Sequence, residues 1–538
     1  MATTTPRKSP ERAPGNALGR LVAALVGLIS VGAALGVGSL VAGLVTPSSS
    51  PFLAVGDTVI RLSPQVLTEF AKTTFGTADK PVLLGGMAVV IALVGAVAGL
   101  VSRRRPGPGL TVVAVLGLLG VGAVAAAPTV NAAAFVAPLA ALVAGLASFA
   151  GLHRVARSAN GEAPTDGSGG DSGRGGIGRR AVLVGSMAAV AVASAAAGLG
   201  GLLLGGGGAD SRRGVTARLA GARVTEQPPA VPAGADFAEL GTPGFLTPAQ
   251  DFYRIDTALQ VPDLRAEDWS LRLHGMVDRE LSLSFDDLLS RPLVERTITM
   301  TCVSNPVGGD LISTAVFTGV DLRELLLEAG VQRGADQIFT TSSDGWTAGT
   351  PTDVVLEPGR GALLAVGMNG EALLPEHGFP VRMVVPGLYG FVSATKWLVD
   401  MELTTFDRRK GYWLQRGWAQ RAPIKTECRI DSPRGFQSVP AGRVTCAGIA
   451  WSQPIGISKV EVRMDGGPWR AATLSSSPSG ATGGRTWRMW KADFDLAPGS
   501  HTVQTRAVDA NGVTQTEDRA EPIPDGASGW PATIFTVS

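Results

Sequence analysis

Three side chains in the second half of the sequence have types and spacing that suit a bound anion. His377, Arg382 and Lys396 surround the apolar run from Val381 to Pro386, which is typical of a buried strand. Buried cations need partners, so these residues are difficult to explain as ordinary core residues. A bound anion would explain them, because arginine forks onto a phosphate and lysine supplies a point charge.

A cysteine upstream of these residues could add metal chemistry. Cys302 ends a β-like run, and Asn305 follows it three residues later. By itself, a cysteine in such a place is more often a small buried apolar residue than a ligand. A deprotonated thiolate is nevertheless a suitable ligand for a soft metal. A string with a charged end, Phe252 to Asp256, lies fifty residues before Cys302.

Together these residues resemble the molybdopterin oxidoreductases of the sulfite oxidase family. The resemblance covers about 300 residues and rests on Cys302 with Asn305, and on the string from His377 through Arg382 to Gly387, which Lys396 and Trp397 follow. In that family one cysteine thiolate binds molybdenum beside the dithiolene of a single pterin. The resemblance therefore implies a molybdenum–molybdopterin cofactor, one per chain, with Cys302 as its metal ligand.

The resemblance also implies further site residues by motif position. The cofactor-binding positions fall on Tyr253, Arg254, Asp256, Asn305, Ser313, Asp344, His377, Arg382, Thr395 and Lys396. The catalytic positions fall on Cys302, Arg254, Arg416 and Trp418. Asp256 stands where a histidine is common in the family, and Ser313 is implied to make either a backbone or a hydroxyl contact.

Two departures from the family pattern bear on the substrate. The arginines that often follow the cysteine–asparagine pair are replaced by residues 306–309, Pro-Val-Gly-Gly. Trp418 stands at the place of the catalytic tyrosine of sulfite oxidases, and an indole cannot titrate like a phenol. Tyr412 would be the substitute if the loop is shifted. These two departures count against sulfite as the substrate, while Arg254 and Arg416 remain available to hold an anion.

Two domains must position these residues. Residues 236–421 mix strand-like runs, such as 269–275, with short helices that begin near 285 and 320, which predicts an α+β molybdopterin-binding domain. Residues 422–538 show strand-like runs at 443–450, 458–464 and 501–508. Such short strands predict an immunoglobulin-like β-sandwich, and the segment resembles the family's dimerisation domain, which implies a homodimer.

The two remaining cysteines belong to the predicted β-sandwich. Cys428 and Cys446 fall in successive predicted strands. Outside the cytoplasm they could form a disulfide, which would contribute roughly 3 kcal/mol. Two unbonded core cysteines are an equally good interpretation of the sequence.

The first 204 residues are poor in charge and predict a membrane domain. Residues 18–45 carry only Arg20, and no charge occurs in four further stretches, 81–101, 110–127, 131–152 and 181–204. Each stretch is long enough, or nearly so, to cross about 30 Å of hydrocarbon as a helix. The sequence therefore predicts a cytoplasmic tail over 1–17, a bundle of five transmembrane helices over 18–204, and a Gly/Pro-rich linker over 205–235.

The distribution of basic residues predicts the orientation of this bundle. Twelve lysines and arginines lie in the N-terminal tail and in the second and fourth connections, against three in the first connection and none in the third. Positive loops stay inside, so the N-terminus is predicted in the cytoplasm and everything after residue 204 outside. The Arg179–Arg180 pair before the fifth span is either a twin-arginine export signal or an ordinary topology anchor.

Composition fits a chain that is part membrane-bound and part soluble. Hydrophobic residues make up 45% of the 538 residues and charged residues 17%, and the net charge of +2 argues against a nucleic-acid partner. The leading hypothesis is a multi-pass membrane enzyme that transfers oxygen atoms to or from a small oxyanion or sulfur compound. Its electrons would pass through a separate cytochrome or quinone-linked carrier. The alternatives are an S-oxide reductase and a non-catalytic membrane receptor that retains the fold.

Overall fold

The computed structural model describes residues 17–45, 49–64, 67, 70, 74–75, 78–126, 132–161 and 208–538. The chain divides into two compact units, 1–206 and 207–538, and each is described by itself.

The first unit is helical. Its α-helices are α1 (Arg20–Val45), α2 (Pro51–Leu62), α3 (Asp79–Val101), α4 (Gly107–Ala125) and α5 (Val136–Gly161), with a 3₁₀ turn over Ala132–Phe135. The helices α1, α3, α4 and α5 are long and apolar enough to cross a membrane, and they coincide with four of the predicted spans. The short helix α2 lies in a connection for which the sequence predicted no helix. The predicted fifth span and the Arg179–Arg180 pair lie outside the described residues.

Small residues bring the helices of this unit close together. A Cβ atom on Gly27 of α1 would lie within 3 Å of the backbone of Gly95 and Gly99 on α3, so only glycine allows this approach. Larger apolar side chains, including Val113 and Phe149, fill a core beside this contact. Other apolar side chains point away from the core, and Leu93 on α3 remains 62% exposed.

The second unit begins with an α+β domain built on two sheets. Its strands are β1 (Val224–Glu226), β2 (Ser270–Gly275), β3 (Leu281–Ser284), β4 (Leu293–Thr301), β5 (Ile312–Asp321), β6 (Gln337–Ser342), β7 (Thr347–Pro351), β8 (Leu363–Met368), β9 (Glu371–Ala372), β10 (Arg382–Val384) and β11 (Leu398–Thr404). One sheet has the order β1-β4-β5-β8-β10, with β9 paired to β8, and the other has the order β3-β2-β11-β6-β7. The predicted strands at 269–275 and 381–386 are confirmed as β2 and β10.

Short helices connect these strands. They are α6 (208–220), α7 (Phe285–Leu289), α8 (Leu322–Ala329), α9 (Thr352–Leu356) and α10 (Gly390–Ser393). The helices predicted to begin near 285 and 320 are α7 and α8. Ser284 forms a capping box with Asp287 at the start of α7, and the Asp321 side chain accepts a hydrogen bond from the backbone of Glu324 in α8.

The segment 205–235 differs from the predicted linker. From residue 208 onward it contains α6 and then β1, which pairs in parallel with β4. Val215 and Leu219 of α6 pack on the core of the α+β domain. The glycine and proline residues at the two ends of this segment dominate its composition and conceal the short apolar face between them.

The last part of the second unit consists of two sheets. Its strands are β12 (Glu427–Ser432), β13 (Ser438–Val439), β14 (Gly442–Trp451), β15 (Ile457–Met464), β16 (Arg470–Ala471), β17 (Thr473–Leu474), β18 (Arg488–Leu496), β19 (Gly499–Asp509) and β20 (Ala532–Val537), and it includes the helix α11 (Ala481–Arg485). The strand orders are β12-β14-β18-β17 and β13-β20-β19-β15-β16. The predicted strands at 443–450, 458–464 and 501–508 are confirmed, and the immunoglobulin-like assignment stays a prediction.

The core between these two sheets contains both remaining cysteines. Cys428 and Cys446 are buried and free. They lie opposite different residues, Ala450 on β14 and Ala492 on β18. The structure therefore has two unbonded core cysteines, which was one of the two interpretations of the sequence.

One face of the C-terminal sheet joins the core of the α+β domain. Ile449, Trp451 and Trp487 belong to the same hydrophobic core as β4 and β5. The Trp487 backbone donates to the Thr299 hydroxyl at 2.8 Å, and its indole donates to the Phe245 carbonyl at 2.9 Å. The C-terminal sheets therefore hold the end of β4, where Cys302 follows.

Candidate active site

Cys302 lies at the carboxyl end of β4, where the strand leaves its sheet. The backbone N–H of Cys302 donates to the Leu311 carbonyl at 3.0 Å, and Asn305 donates from its backbone to the Cys302 carbonyl at 3.1 Å. The thiol accepts a hydrogen bond from the Ser304 backbone at 3.4 Å and is 7% exposed. The loop therefore fixes the position of the sulfur by hydrogen bonds as well as by packing.

Tyr253 and Arg382 lie within electrostatic range of this cysteine. Burial and the charge of Cys302 raise the pKa of Tyr253 above its ordinary value, while Arg382 opposes the shift. A Cβ atom on Gly390 would lie 3.4 Å from the Tyr253 hydroxyl and 3.8 Å from the Thr301 carbonyl. The start of α10 therefore packs directly beside Tyr253 and the end of β4.

Arg382 is a buried cation at the start of β10. Its guanidinium donates to the His377 carbonyl at 3.1 Å and faces the ring of Phe317. Burial lowers the pKa of Arg382 to about 10, which leaves it positive at neutral pH. Across the described residues no acidic side chain forms an ion pair with Arg382, and its Nε has no hydrogen-bond partner. An unpaired buried charge is costly, so this guanidinium suits an anionic ligand.

Lys396 is a second, largely buried cation, and it is paired with an acidic side chain. Its Nζ donates to Asp256 at 2.9 Å and to the Glu376 carbonyl at 3.0 Å. Burial lowers the pKa of Lys396 to about 8, although Asp256 opposes the shift. Asp256 also accepts from Arg254 at 2.8 Å, and the Arg254 side chain is 44% exposed. Lys396, Asp256 and Arg254 are therefore linked by ion pairs that run from the largely buried Lys396 to the partly exposed Arg254.

His377 is fixed as a neutral ring beside Arg382. Its Nε2 lies 2.8 Å from the Ala249 carbonyl, and Phe252 packs against it edge-on. Burial, with help from Arg382, lowers the pKa of His377 to about 4. Gly378 follows with a φ of 104°, and a Cβ there would lie 3.0 Å from the Lys396 backbone. The histidine–glycine pair therefore lets the Arg382 and Lys396 segments approach each other.

Four other predicted site residues lie on the same loops and strands. The Ser313 hydroxyl accepts from the Tyr253 backbone at 3.1 Å, and the Asn305 side-chain oxygen accepts from the Leu311 backbone at 2.9 Å. The Thr395 hydroxyl lies 2.7 Å from that of Thr340. Burial raises the pKa of Asp344, and the nearby charge of Lys396 partly offsets this.

Arg416 and Trp418 form a separate group. The Arg416 guanidinium lies 3.6 Å from the Tyr412 ring centre and donates to the Tyr412 carbonyl at 3.0 Å, so both contacts lie within loop 412–418. Trp418 is 8% exposed and packs on Trp413 and Phe391. Phe391 follows Gly390, which connects this aromatic group to the Cys302 side of the domain.

Sequence analysis missed two buried side chains near the site. Tyr389 is 1% exposed, and the charges of Glu427 and Cys302 both act on its phenol. Glu427 is buried at the start of β12, in the other domain. Because Arg429 and Asp431 follow it at alternate positions of β12, Glu427 resembles one of a row of solvent-facing charges, and nothing in the sequence connects it with Tyr389.

Comparisons with known proteins identify a family for the domain that carries this site. Residues 258–413 match the oxidoreductase molybdopterin binding domain. The chain is 30% identical to chicken (Gallus gallus) sulfite oxidase over 318 residues, 51% of this chain and 69% of that protein. It is also 30% identical to mitochondrial sulfite oxidase of Macaca fascicularis over 331 residues, 53% of this chain and 60% of that protein.

Two further proteins are similar over about half of the chain. The inducible NADH nitrate reductase 2 of Glycine max is 28% identical over 334 residues, 51% of this chain and 37% of that protein. The sulfane dehydrogenase SoxCD of Paracoccus pantotrophus aligns with a TM-score of 0.47 and 23% identity, covering 55% of this chain and 84% of that chain.

The fold and the site define a molybdopterin-dependent oxidoreductase. The chain belongs to the sulfite oxidase family, and its cofactor is molybdenum–molybdopterin. The residues present fit this group, because three buried polar atoms, Arg382 Nε, Asn305 Nδ2 and Thr301 Oγ1, lack a protein partner within the described part of the chain. Buried groups of this kind are normally satisfied by a ligand or water.

Proposed function

We propose that this chain is a membrane-attached enzyme that transfers oxygen atoms to or from a small oxyanion or sulfur compound at an extracytoplasmic molybdenum site. The observation that carries the proposal is Arg382, a buried guanidinium without an acidic partner among the described residues, in the same site as a buried thiol. The first suits a phosphate and the second a soft metal.

Each site residue has a role that follows from its position. Cys302 would bind the metal through its thiolate, and Arg382 and Lys396 would hold the pterin phosphate. His377 is neutral and its Nε2 donates to the Ala249 carbonyl, so its Nδ1 would accept one hydrogen bond without adding charge. Arg254, which is partly exposed, would attract an anionic substrate. When bound, the cofactor supplies the two-electron redox step.

The aromatic group around Trp418 bears on the choice of substrate. The indole is buried against Trp413 and Phe391 and cannot take up or release a proton at neutral pH. Arg416 packs on Tyr412, which supports a structural role for this arginine in the loop. We therefore propose that sulfite is a poor substrate and that other small sulfur compounds are preferred.

A tyrosine at position 418 should improve sulfite oxidation. Trp418→Tyr restores a phenol, and Trp418→Phe is the matched control because it differs only by the hydroxyl. We expect Trp418→Tyr to exceed Trp418→Phe in kcat for sulfite by at least about tenfold, since a positioned acid or base contributes roughly 10²–10⁴. Equal rates for the two variants, measured with ferricyanide as acceptor, would show that a phenol at position 418 does not contribute to sulfite oxidation.

The direction of the reaction separates the alternatives. Loaded full-length protein should be assayed with sulfite and ferricyanide, and with dimethyl sulfoxide and reduced viologen. Turnover in the first assay supports an oxidase, and turnover only in the second supports an S-oxide reductase. Molybdenum-loaded protein that is inactive with a broad panel of S-compounds in both assays would favour the receptor alternative.

Apolar outward faces support attachment to a membrane. Val90, Leu93 and Val97 of α3 are more than half exposed, which suits contact with lipid. We retain the proposal of a fifth span, with the catalytic and C-terminal domains outside the cytoplasm. Electrons would then pass to or from a separate cytochrome or quinone-linked carrier, and residues 422–538 would form an immunoglobulin-like dimerisation domain.

A reporter fusion tests the orientation. Alkaline phosphatase, which is active only outside the cytoplasm, should be active when fused after residue 204. The same reporter inserted within 102–109 should be silent, because Arg103, Arg104 and Arg105 hold that connection inside. The reverse pattern of activity would overturn the five-span topology.

A further inference from the structure

A buried carboxyl group lies on the face of β12 that packs against the α+β domain. Glu427 is 3% exposed and stands opposite Trp451 in the register of β12 and β14. Opposed residues share a face of the sheet, and Trp451 belongs to the core of the α+β domain. The next residue, Cys428, points to the other face and into the core between the two C-terminal sheets. Glu427 therefore faces the oxidoreductase domain.

The same face of β12 touches the loop that follows Cys302. Arg429 lies two residues after Glu427, so its side chain is on the same face. Its guanidinium donates to the Gly309 carbonyl at 3.0 Å and to Asp431 at 2.7 Å. The face that carries Glu427 is thus seated against the 302–309 loop.

Tyr389 lies beside the backbone that leads into β12 and Glu427. Its backbone donates to the Ala422 carbonyl at 2.9 Å, and its hydroxyl accepts from the Lys425 backbone at 3.4 Å. Gly526 packs against the ring so closely that a Cβ there would lie 2.6 Å from the hydroxyl. On the other side, Gly390 approaches the Thr301 carbonyl, which immediately precedes Cys302. The phenol is therefore held in one orientation.

We call the contact between the Glu427 face of β12 and the segment from Thr299 to Gly309 the seam. Several buried polar atoms along the seam lack a hydrogen-bond partner. Within the described residues, Glu427 Oε1, Trp451 Nε1, Gln453 Oε1 and Thr301 Oγ1 are buried without a protein partner. The Gln453 amide donates to the Thr299 carbonyl at 3.4 Å, which places it on β4 close to Thr301. Buried polar groups without protein partners are typically bridged by ordered water, so the seam is suited to hold water between the two domains.

An ion pair, Lys425 with Asp525, lies at the outer end of the seam. Lys425 donates from Nζ to Asp525 at 2.8 Å and to the Gly526 carbonyl at 2.6 Å, and both charged side chains are partly exposed. Burial raises the pKa of Glu427 to about 8, and Lys425 partly offsets the shift. The charged or titratable groups facing Glu427 are Lys425 with Asp525, Arg429 on its own strand, and Tyr389 across the seam. Glu427 is therefore mostly protonated at neutral pH.

We propose that Glu427 and Tyr389 form a proton relay that connects the Cys302 side of the site with solvent at the Lys425–Asp525 pair. The proposal rests on the proposed oxygen-atom transfer, in which a substrate and water give the oxidised product, two protons and two electrons. The electrons leave to the separate carrier. For each proton relayed, the Tyr389 hydroxyl accepts one from the site and passes its own, through water held in the seam, to the Glu427 carboxylate. Glu427 has already released its proton outward, so only O–H bonds form and break.

The test measures proton release from the full-length, molybdenum-loaded protein without any substrate. Protein reduced with dithionite and desalted is mixed with ferricyanide at about pH 7, and a pH-indicator dye reports the protons. We expect Glu427→Gln and Tyr389→Phe to slow proton release at least about tenfold, because neither new side chain can take up and release a proton near pH 7. Glu427→Asp, which retains a carboxyl, should recover part of the rate. Asp431→Asn, which removes a half-buried carboxyl on the same strand, should release protons at the wild-type rate.

A second measurement keeps the proposal falsifiable if a variant loads poorly. Infrared spectra of metal-free, full-length protein should show a protonated carboxyl band at neutral pH that is lost in Glu427→Gln and disappears in the wild type above about pH 9. Wild-type proton release in Glu427→Gln, or no difference between the infrared spectra, would overturn the relay. Failure of the proposed substrate class would appear instead as inactive protein with normal proton release.

Discussion

Cys302→Ala is expected to give a folded chain that turns over no substrate. The loop that carries Cys302 is held by backbone hydrogen bonds to Leu311 and from Asn305, which the substitution leaves in place. The small cavity left by the sulfur costs only about 1 kcal/mol. The thiolate has no replacement, because Cys428 and Cys446, the other two cysteines of the chain, are buried in the core between the C-terminal sheets. Metal analysis should show molybdenum either lost or retained in an inactive form.

Cys446→Ala is the matched control for this variant. It removes a buried thiol of the same size from the C-terminal core and should retain wild-type molybdenum content, about one per chain, and wild-type kcat. Cys302→Ala protein with wild-type turnover would show that the assignment of the metal ligand is wrong.

Arg382→Met is expected to have opposite effects on the loaded and the metal-free protein. The methionine is apolar and fits a buried site, so the metal-free chain loses an uncompensated charge. Its thermal midpoint should rise by about 2–4 °C for each kcal/mol gained. The loaded protein loses the guanidinium proposed to hold the phosphate, so its cofactor content should fall at least about tenfold, the equivalent of roughly 1.4 kcal/mol. Cofactor analysis and thermal unfolding of full-length protein report both effects.

Arg296→Met provides the contrast. Arg296 is also a buried arginine, but it pairs with Glu226 at 2.6 Å and Asp321 at 2.8 Å. Its removal strands two carboxylates and should lower the thermal midpoint of the metal-free protein. A fall of the midpoint in Arg382→Met similar to that in Arg296→Met would mean that Arg382 is a structural residue, and the phosphate assignment would be withdrawn.

Local patterns explain why much of the fold could be predicted. The apolar helices α1, α3, α4 and α5 and the alternating strand β2 are encoded within short windows of sequence. The helix α6 was missed because its two core contacts, Val215 and Leu219, lie within a glycine-rich segment. The helix α2 was missed because Asp57 and Arg61 interrupt its apolar pattern.

The candidate site, like the fold, could be predicted from the sequence only in part. The residues from His377 to Lys396 could be grouped from the sequence because their motif has fixed spacing, and β10 lies between them. Arg382 has no acidic partner among the described residues, and this could not be predicted, since it depends on side chains from several strands. Glu427 could not be predicted as a neighbour of this domain, because its strand β12 docks on the 302–309 loop through a contact between residues far apart in the sequence, Arg429 and Gly309.

The most direct test of the account is molybdenum X-ray absorption on full-length wild-type protein and on Cys302→Ala. If the Cys302 thiolate binds the metal, the fine structure of the wild type should contain one sulfur ligand more than that of Cys302→Ala, or the variant should hold no molybdenum at all. Equal sulfur coordination together with equal molybdenum content in the two proteins would contradict the central claim.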